Sequence, residues 1–224
     1  MRTYVIPTQG MFDWRWVVRF RRLLKDEHVE GVVIDLRDNG GGSLTEATDL
    51  TGLFIDKGPV VQVRDAQGRV SVEADTNAGV AWDGPLAVLV NRSSASASEI
   101  FAAALQDYGR ALIIGETTYG KGTVQNLVDL DNVAQNENSK FGQLKLTVAQ
   151  FFRVNGGSTQ NKGVIPDVAF PTTIDPTEWG ESAIDDGKWQ MDFVGQWNPK
   201  IGGGTAPERG WAALLDGYGP RVST

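Results

Sequence analysis

Residues 85–122, PLAVLVNRSSASASEIFAAALQDYGRALIIGETTYGKG, decide the fold of this 224-residue chain. The apolar, valine-rich run at 85–90 predicts a buried strand. Small residues follow it, and the alanine-rich segment 98–107 then predicts a helix. A second apolar run at 110–115 predicts another buried strand. Strand, helix and strand in this order indicate a βαβ unit, in which the two strands lie parallel in one sheet.

The same alternation continues on both sides of this unit. Upstream, the run at 31–36 predicts a third buried strand, and Ser43 or Thr45 can cap a helix at about 45–54. We therefore expect an α/β fold with a mainly parallel sheet. Beyond residue 187 the periodicity fades into glycine, proline and tryptophan among polar residues. Further elements are predicted as an amphipathic helix at 17–27, a hairpin of strands at 60–64 and 69–73, and a strand at 143–154.

Composition excludes several classes of protein. The 21 Lys and Arg against 28 Asp and Glu give a net charge of −7, whereas a nucleic-acid binder needs a basic face. The chain has no cysteine, which excludes disulfides, thiolate catalysis and cysteine-bound zinc. His28 is the only histidine, so histidine metal sites are nearly excluded and a Ser-His-Asp triad has one candidate. With no apolar run of about 18 residues and no signal-peptide pattern, the chain is expected to be soluble.

Two loops match ligand-binding motifs in part. The segment Gly115–Lys121 follows a strand as a phosphate-binding loop does, but Gly122 stands where a magnesium-binding hydroxyl is needed. The strand that ends in an aspartate also precedes this loop, whereas in P-loop folds it follows. The segment from Asp35 to Glu46 partly matches a calcium loop, but Arg37 replaces the second carboxylate. Both patterns favour glycine turns over a nucleotide or cation site.

Ser96 and Lys121 offer a third candidate, with nucleophilic chemistry. A serine hydroxyl needs a base to take its proton, and a lysine can serve if burial lowers its pKa. Ser96 precedes a predicted helix whose free N–H groups favour developing negative charge, and the loop Gly40–Gly42 can lend another N–H. All three elements follow strands, where open α/β sheets place their sites. A helix-capping serine and a solvent-exposed lysine remain the alternatives on spacing alone.

Three stretches carry a family resemblance: GVVIDLRDNGGGSLTEA (31–47), SASASEIFAAALQDYGRALIIGETTYGKGTVQ (94–125) and FFRVNGGSTQNKGVIPDV (151–168). They resemble the carboxyl-terminal processing proteases, peptidase family S41, and most closely its tail-specific (Prc) branch. The resemblance covers about residues 28–186 and implies a ClpP/crotonase-like protease domain there. Residues 1–27 are then a divergent N-terminal segment with a helix, and 187–224 a glycine- and tryptophan-rich tail without an assigned place.

The resemblance also implies roles for individual residues. Ser96, the middle serine of SASASE, corresponds to the nucleophile, and Lys121 of YGKGTVQ corresponds to the general base. Gln125 matches the residue that orients the lysine. The implied oxyanion donors are the amides of Ala97 and of Gly41, or of Gly42 if the loop shifts by one.

The acidic position of the family pattern falls on Asp107, which is sometimes included as a third catalytic member. If 98–107 is one helix, this carboxylate lies about 15 Å along the axis from the nucleophile. It is then too far to orient Lys121. Pairing with Arg110, or support of the helix, is the expectation from geometry.

These matches imply a serine endopeptidase with a Ser-Lys dyad that cleaves proteins selected by their C-terminal tails. No metal or organic cofactor is needed, and neither nucleic acid nor a nucleotide is an expected partner. Relatives of this kind carry a signal peptide and a PDZ domain, so the resemblance implies a periplasmic enzyme whose PDZ segment or adaptor is not visible in this sequence. The alternative is a catalytically silent remnant that keeps the fold as a binding or assembly module.

Overall fold

The computed structural model describes residues 3–7, 15, 18–20, 22, 30–134, 142–172, 175 and 178–184. These residues form two sheets with helices packed on them. The strands are β1 (Thr3–Pro7), β2 (Gly31–Asp35), β3 (Gly58–Asp65), β4 (Val70–Asp75), β5 (Leu86–Val90), β6 (Leu112–Gly115), β7 (Thr123–Asp129), β8 (Gln143–Phe152) and β9 (Val168–Ala169). The helices are α1 (Leu44–Thr51), α2 (Ala97–Asp107), α3 (Leu130–Ala134) and α4 (Glu181–Ile184).

The first sheet has five strands in the order β1-β2-β5-β6-β9, and every neighbouring pair is parallel. Within it, β5, α2 and β6 form the predicted βαβ unit. The α/β fold with a mainly parallel sheet is therefore confirmed. Because parallel strands end at the same edge, the loops after β2, β5 and β6 come together there.

The helix α2 packs on this sheet, and α1 packs against α2 and against β3 and β4. The strands contribute Ile34, Val88 and Ile113, each with no exposed surface, to the same apolar core as the helices. From α2, Phe101 meets Phe54 edge to face, with ring centroids 6.1 Å apart. Nine of the eleven residues of α2 are buried. Several of these are alanine or serine, and their small side chains let the helix lie close to the sheet.

The second sheet is antiparallel, in the order β4-β3-β8-β7. The predicted hairpin is its β3–β4 pair, and β8 joins this pair to β7. The register between β7 and β8 shifts at Val124/Gln125, where a bulge turns the strand. Lys121 lies in the loop between β6 and β7, called the lysine loop below. Since β7 begins two residues after Lys121, this sheet fixes the C-terminal end of that loop.

Three strands were not predicted from the sequence, and one of them is the two-residue β9, which pairs with β6. β1 pairs in parallel with β2 at the edge of the main sheet, and β7 continues directly from the glycine-flanked lysine. Of the helix predicted at 17–27, the described residues 18–20 and 22 are helical; the rest, like 187–224, lie outside the described residues. Within the described part of the chain, no helix has the length and apolarity that crossing a bilayer requires.

Candidate active site

Ser96 lies in the loop between β5 and α2, immediately before the first residue of the helix. Its backbone has φ +57° and ψ −114°, a combination that a residue with a Cβ rarely adopts. Ser96 is half-buried. Strain of this kind is found where the surrounding contacts hold a functional side chain in place.

Asn39 connects the β5–α2 loop that contains Ser96 (the serine loop) with the loop after β2 that contains Gly40–Gly42 (the glycine loop). Its side-chain oxygen accepts from Gly41 N at 2.9 Å and from Ser98 Oγ at 3.0 Å, while its backbone oxygen accepts from Ala95 N at 3.0 Å. Asn39 is almost completely buried, so these bonds are shielded from water. The two loops are therefore fixed against each other on either side of Ser96.

Gly41 lies directly over the nucleophile. A Cβ built on it would be 2.8 Å from Ser96 Cβ and 2.8 Å from Ala97 N, so only glycine leaves this space open. Because glycine has no Cβ, the Ala97 amide is not covered by a side chain from the Gly41 side. The Gly41 amide itself donates to Asn39, and it would have to leave that acceptor to bind an oxyanion. Gly42, the other predicted donor, follows in the same loop with φ +156°.

Lys121 lies between Gly120 and Gly122 in the β6–β7 loop and is half-buried. Burial is the main cause that lowers its pKa below the usual value, and the positive charge of Lys145 lowers it further. The negative charges of Glu181 and Glu99 act in the opposite direction. A lowered pKa raises the neutral fraction of the amine at ordinary pH, which a general base requires.

Glu99 joins the two loops and was missed by the sequence analysis. It is fully buried, and its Oε2 accepts from both Ser96 N and Lys121 N at 2.9 Å each. The two nitrogens are therefore no further apart than twice that distance. Oε1 accepts from Thr118 Oγ1 at 2.5 Å and from Gly120 N at 2.8 Å. Desolvation, only partly offset by these four bonds, raises the pKa of Glu99 to about 7.

The structure brings the Ser96 and Lys121 backbones together without a hydrogen bond between their side chains. Gln125 does not contact the lysine either: it lies on β7 with an exposed side chain, and its Nε2 lies 3.5 Å from Thr147 Oγ1. Its predicted orienting contact is thus not formed in this conformation. The pairing of β7 with β8 shifts register at Val124/Gln125, directly before this side chain. Catalytic hydrogen bonds are often incomplete without substrate.

Asp107 lies at the far end of α2, as the helix length predicts. It forms an ion pair with Arg153, 2.6 Å between Oδ1 and Nη2, and accepts from Asn155 Nδ2 at 2.8 Å. The expected pairing with Arg110 is wrong, because Arg110 donates to the carbonyls of Phe54 and Trp82. Asp107 therefore anchors the helix to the segment after β8 and lies away from the Ser96 end.

The two ligand-binding patterns have structural explanations. In the Gly115–Lys121 loop, the amides of Gly120 and Lys121 point at the Glu99 carboxylate and not at an open anion site. At the end of β2, Asp35 accepts from Arg37 at 2.7 Å. Among the described residues, no group of three His, Cys, Asp or Glu side chains could hold a metal ion. His28 lies outside the described residues.

Comparison with curated sequences places these loops in a family. The sequence model described as Peptidase family S41 matches residues 6–170. The chain is 54% identical to the tail-specific protease of Haemophilus influenzae over 72% of this chain and 23% of that protein. It is 39% identical to the chloroplastic carboxyl-terminal-processing peptidase 2 of Arabidopsis thaliana, over 69% of this chain and 29% of that protein. The chain thus spans about a quarter of the length of these relatives.

Solved structures agree with the sequence comparison. The photosystem II D1 C-terminal processing protease superposes with a TM-score of 0.64 and 33% identity, over 78% of this chain and 42% of that one. Mature CPAF superposes with a TM-score of 0.61 at 17% identity, over 81% of this chain and 49% of that one, which shows a shared fold.

Proposed function

The chain belongs to peptidase family S41, and on this premise we propose that it is the protease domain of a serine endopeptidase with a Ser-Lys dyad. The observation that supports this most directly is the shared oxygen of Glu99, which holds the amides of Ser96 and Lys121 at 2.9 Å each. Ser96 and the half-buried Lys121, whose pKa is lowered, thus lie close together at one edge of the parallel sheet, which supports the assignment of a nucleophile and its base.

The proposed reaction begins with proton transfer from the Ser96 hydroxyl to the neutral Lys121 amine. The serine oxygen then attacks the scissile carbonyl carbon, and negative charge develops on the carbonyl oxygen. Collapse of this intermediate breaks the C–N bond, and the protonated lysine returns the proton to the leaving amine. Water next attacks the acyl-serine ester with Lys121 again as base, which releases the acid product and restores Ser96.

The developing oxyanion is assigned to the space in front of the Ala97 amide at the N-terminus of α2. That amide belongs to the first helical residue, whose N–H has no partner within the helix. A second donor comes from the glycine loop, either Gly42 or Gly41 after release from Asn39. Gln125 takes up its orienting role once substrate binding draws its side chain from Thr147 to the lysine.

The proposed substrates are polypeptides with exposed C-terminal tails. The names of the relatives, tail-specific protease and carboxyl-terminal-processing peptidase, support this class. A PDZ-bearing segment or an adaptor would select the tail, and a periplasmic location is proposed on the same resemblance. No cofactor enters the proposed reaction, because serine and lysine supply both the nucleophile and the base.

A fluorophosphonate probe, which labels activated serines, tests the assignment directly. We expect labelling of the 224-residue chain, no labelling of Ser96→Ala, and full labelling of the matched control Ser93→Ala, which changes a serine in the same loop. Equal labelling of the chain and the Ser96→Ala variant would reject the dyad. The chain would then be a silent binding or assembly module.

A further inference from the structure

The segment Trp179–Glu181 crosses the lysine loop at the start of α4. The Glu181 amide donates to Tyr119 O at 2.9 Å, two residues before Lys121. The guanidinium of the buried Arg92 donates to the carbonyl oxygens of both Trp179 and Thr118. The segment is therefore fastened to the serine loop and to the lysine loop at once.

Gly180 allows this close crossing. It has φ +119°, and a Cβ built on it would lie 2.8 Å from Arg92 Nη2 and 2.9 Å from Tyr119 O. Any other residue would push the segment away from the lysine loop. The backbone is thus shaped to bring the next residue, Glu181, against that loop.

The Glu181 side chain is anchored on the other side of the lysine. Gln160, which is buried, donates from Nε2 to Glu181 Oε1 at 3.3 Å, and its Oε1 accepts from Gly122 N at 2.6 Å. Glu181 is therefore connected to the residue directly after Lys121 as well as to Tyr119 before it. Its carboxylate is therefore tied to the lysine loop through Gln160, without a direct ion pair to the Lys121 amine.

We infer that Glu181 is a positioning residue that fixes the loop on both sides of Lys121, and that its charge acts on the lysine ammonium in opposition to Lys145 from β8. This inference rests on the proposed role of Lys121 as general base. Three charged groups act on the lysine: Lys145 from β8, Glu181 from α4 and Glu99 from α2. Of these three groups, Glu181 belongs to the segment Trp179–Glu181 that crosses the lysine loop.

Glu181 and Lys145 have opposite effects on the pKa of Lys121, so the direction of the pKa change on removing each charge tests the inference. Removing the carboxylate lowers the pKa of Lys121, since the negative charge that raises it is lost. Removing the Lys145 charge raises the pKa of Lys121. A variant that only loosened the fold would not shift the lysine in opposite directions with the sign of the charge removed.

The experiment is competitive labelling of lysines with acetic anhydride across pH, read by mass spectrometry on the 224-residue chain. Lys162, whose charge state is not part of the site, serves as the internal standard. We expect the Lys121 labelling midpoint to move to lower pH in Glu181→Gln and to higher pH in Lys145→Gln. Glu178→Gln, the same change three residues earlier, should leave the midpoint in place.

An unmoved or raised Lys121 midpoint in a folded Glu181→Gln protein would overturn the inference. If that variant fails to fold, Glu181→Asp, which keeps the charge but shortens its reach, should give a smaller shift to lower pH. Fluorophosphonate labelling of Ser96 in the same samples reports on the proposed activity separately. Shifted Lys121 midpoints without any Ser96 labelling would reject the peptidase proposal and, with it, a positioning role for Glu181, and would leave only a charge interaction between the two side chains.

Discussion

Replacing Glu99 by glutamine changes one oxygen of the carboxyl group that joins the serine and lysine loops. The carboxylate accepts four hydrogen bonds, two on each oxygen, all from buried or half-buried donors. A glutamine has one accepting oxygen, and its NH2 group cannot accept. The donors that bind one of the two Glu99 oxygens must therefore lose their acceptor. The structure indicates which oxygen position this is.

The less costly arrangement keeps the amide oxygen on the Oε2 side, towards Ser96 N and Lys121 N. The NH2 group then faces Thr118 and Gly120. The Thr118 hydroxyl can rotate to accept, but the Gly120 amide is left without an acceptor. An unsatisfied buried donor costs about 1–3 kcal/mol, so the free energy of unfolding should fall by about that amount. Glu99→Ala, which orphans all four donors, should cost more.

The loss should also depend on pH. The pKa of Glu99 is raised from near 4.5 in the unfolded chain to about 7 in the folded one. The folded state therefore binds the proton more tightly, which adds stability below the unfolded value and loses it as pH rises through the folded value. This slope is at most about 1.4 kcal/mol per pH unit. Glutamine has no such slope, so the stability gap should be widest near pH 5 and narrow towards pH 8.

Urea unfolding of the chain and of Glu99→Gln at pH 5 and pH 8 measures both effects. Glu116→Gln, the same change in the β6–β7 loop that Glu99 contacts, is the matched control and should unfold like the unsubstituted chain. The assignment of Glu99 as the residue that joins the serine and lysine loops fails if Glu99→Gln unfolds like this control at both pH values. A gap that widens as pH rises would show that the sign of the Glu99 shift is wrong.

Three further substitutions follow from the site. Gly41→Ala places a Cβ over the nucleophile and should abolish fluorophosphonate labelling, whereas Gly40→Ala, with no atom within 4 Å of its Cβ, should label normally. Asp107→Asn should lower the melting temperature, because it removes one charge of the partly buried ion pair with Arg153, yet it should label normally while folded; lost labelling would give Asp107 a catalytic role. Activity should rise with pH through the lowered pKa of Lys121. Lys121→Arg should reduce the turnover of an unfolded reporter at least about 10²-fold, because a guanidinium group stays protonated. Near-normal turnover of this variant would exclude Lys121 as the base.

Local patterns predicted the elements that carry the site. The runs at 85–90 and 110–115 are strands because their side chains are almost all apolar, which is typical of strands buried on both faces. The intervening helix followed from its alanines, and α1 was predicted within a few residues of its actual bounds. β1 and β7 escaped because their partners, β2 and β8, are joined to them by pairing that a local pattern does not reveal.

Long-range contacts explain the remaining differences. Arg110 is the nearest cation to Asp107 in sequence, but Arg153 is brought to it by β8, 46 residues away. Gln125 follows Lys121 by four residues, yet the pairing of β7 with β8 shifts register directly before its side chain. Glu99 resembles an ordinary acidic residue in the first turn of a helix, since full burial of a carboxylate depends on donors from the distant lysine loop.

The shared oxygen of Glu99 holds positions 96 and 121 through peptide nitrogens, which nineteen of the twenty amino acids supply. The scaffold is therefore indifferent to the chemistry of the side chains it displays. Cysteine in place of the serine, or another base in place of the lysine, would inherit the same spacing without any redesign of the backbone. Proline at either position would remove the attachment itself. The fold thus fixes the spacing of positions 96 and 121 through the backbone, whichever side chains stand there.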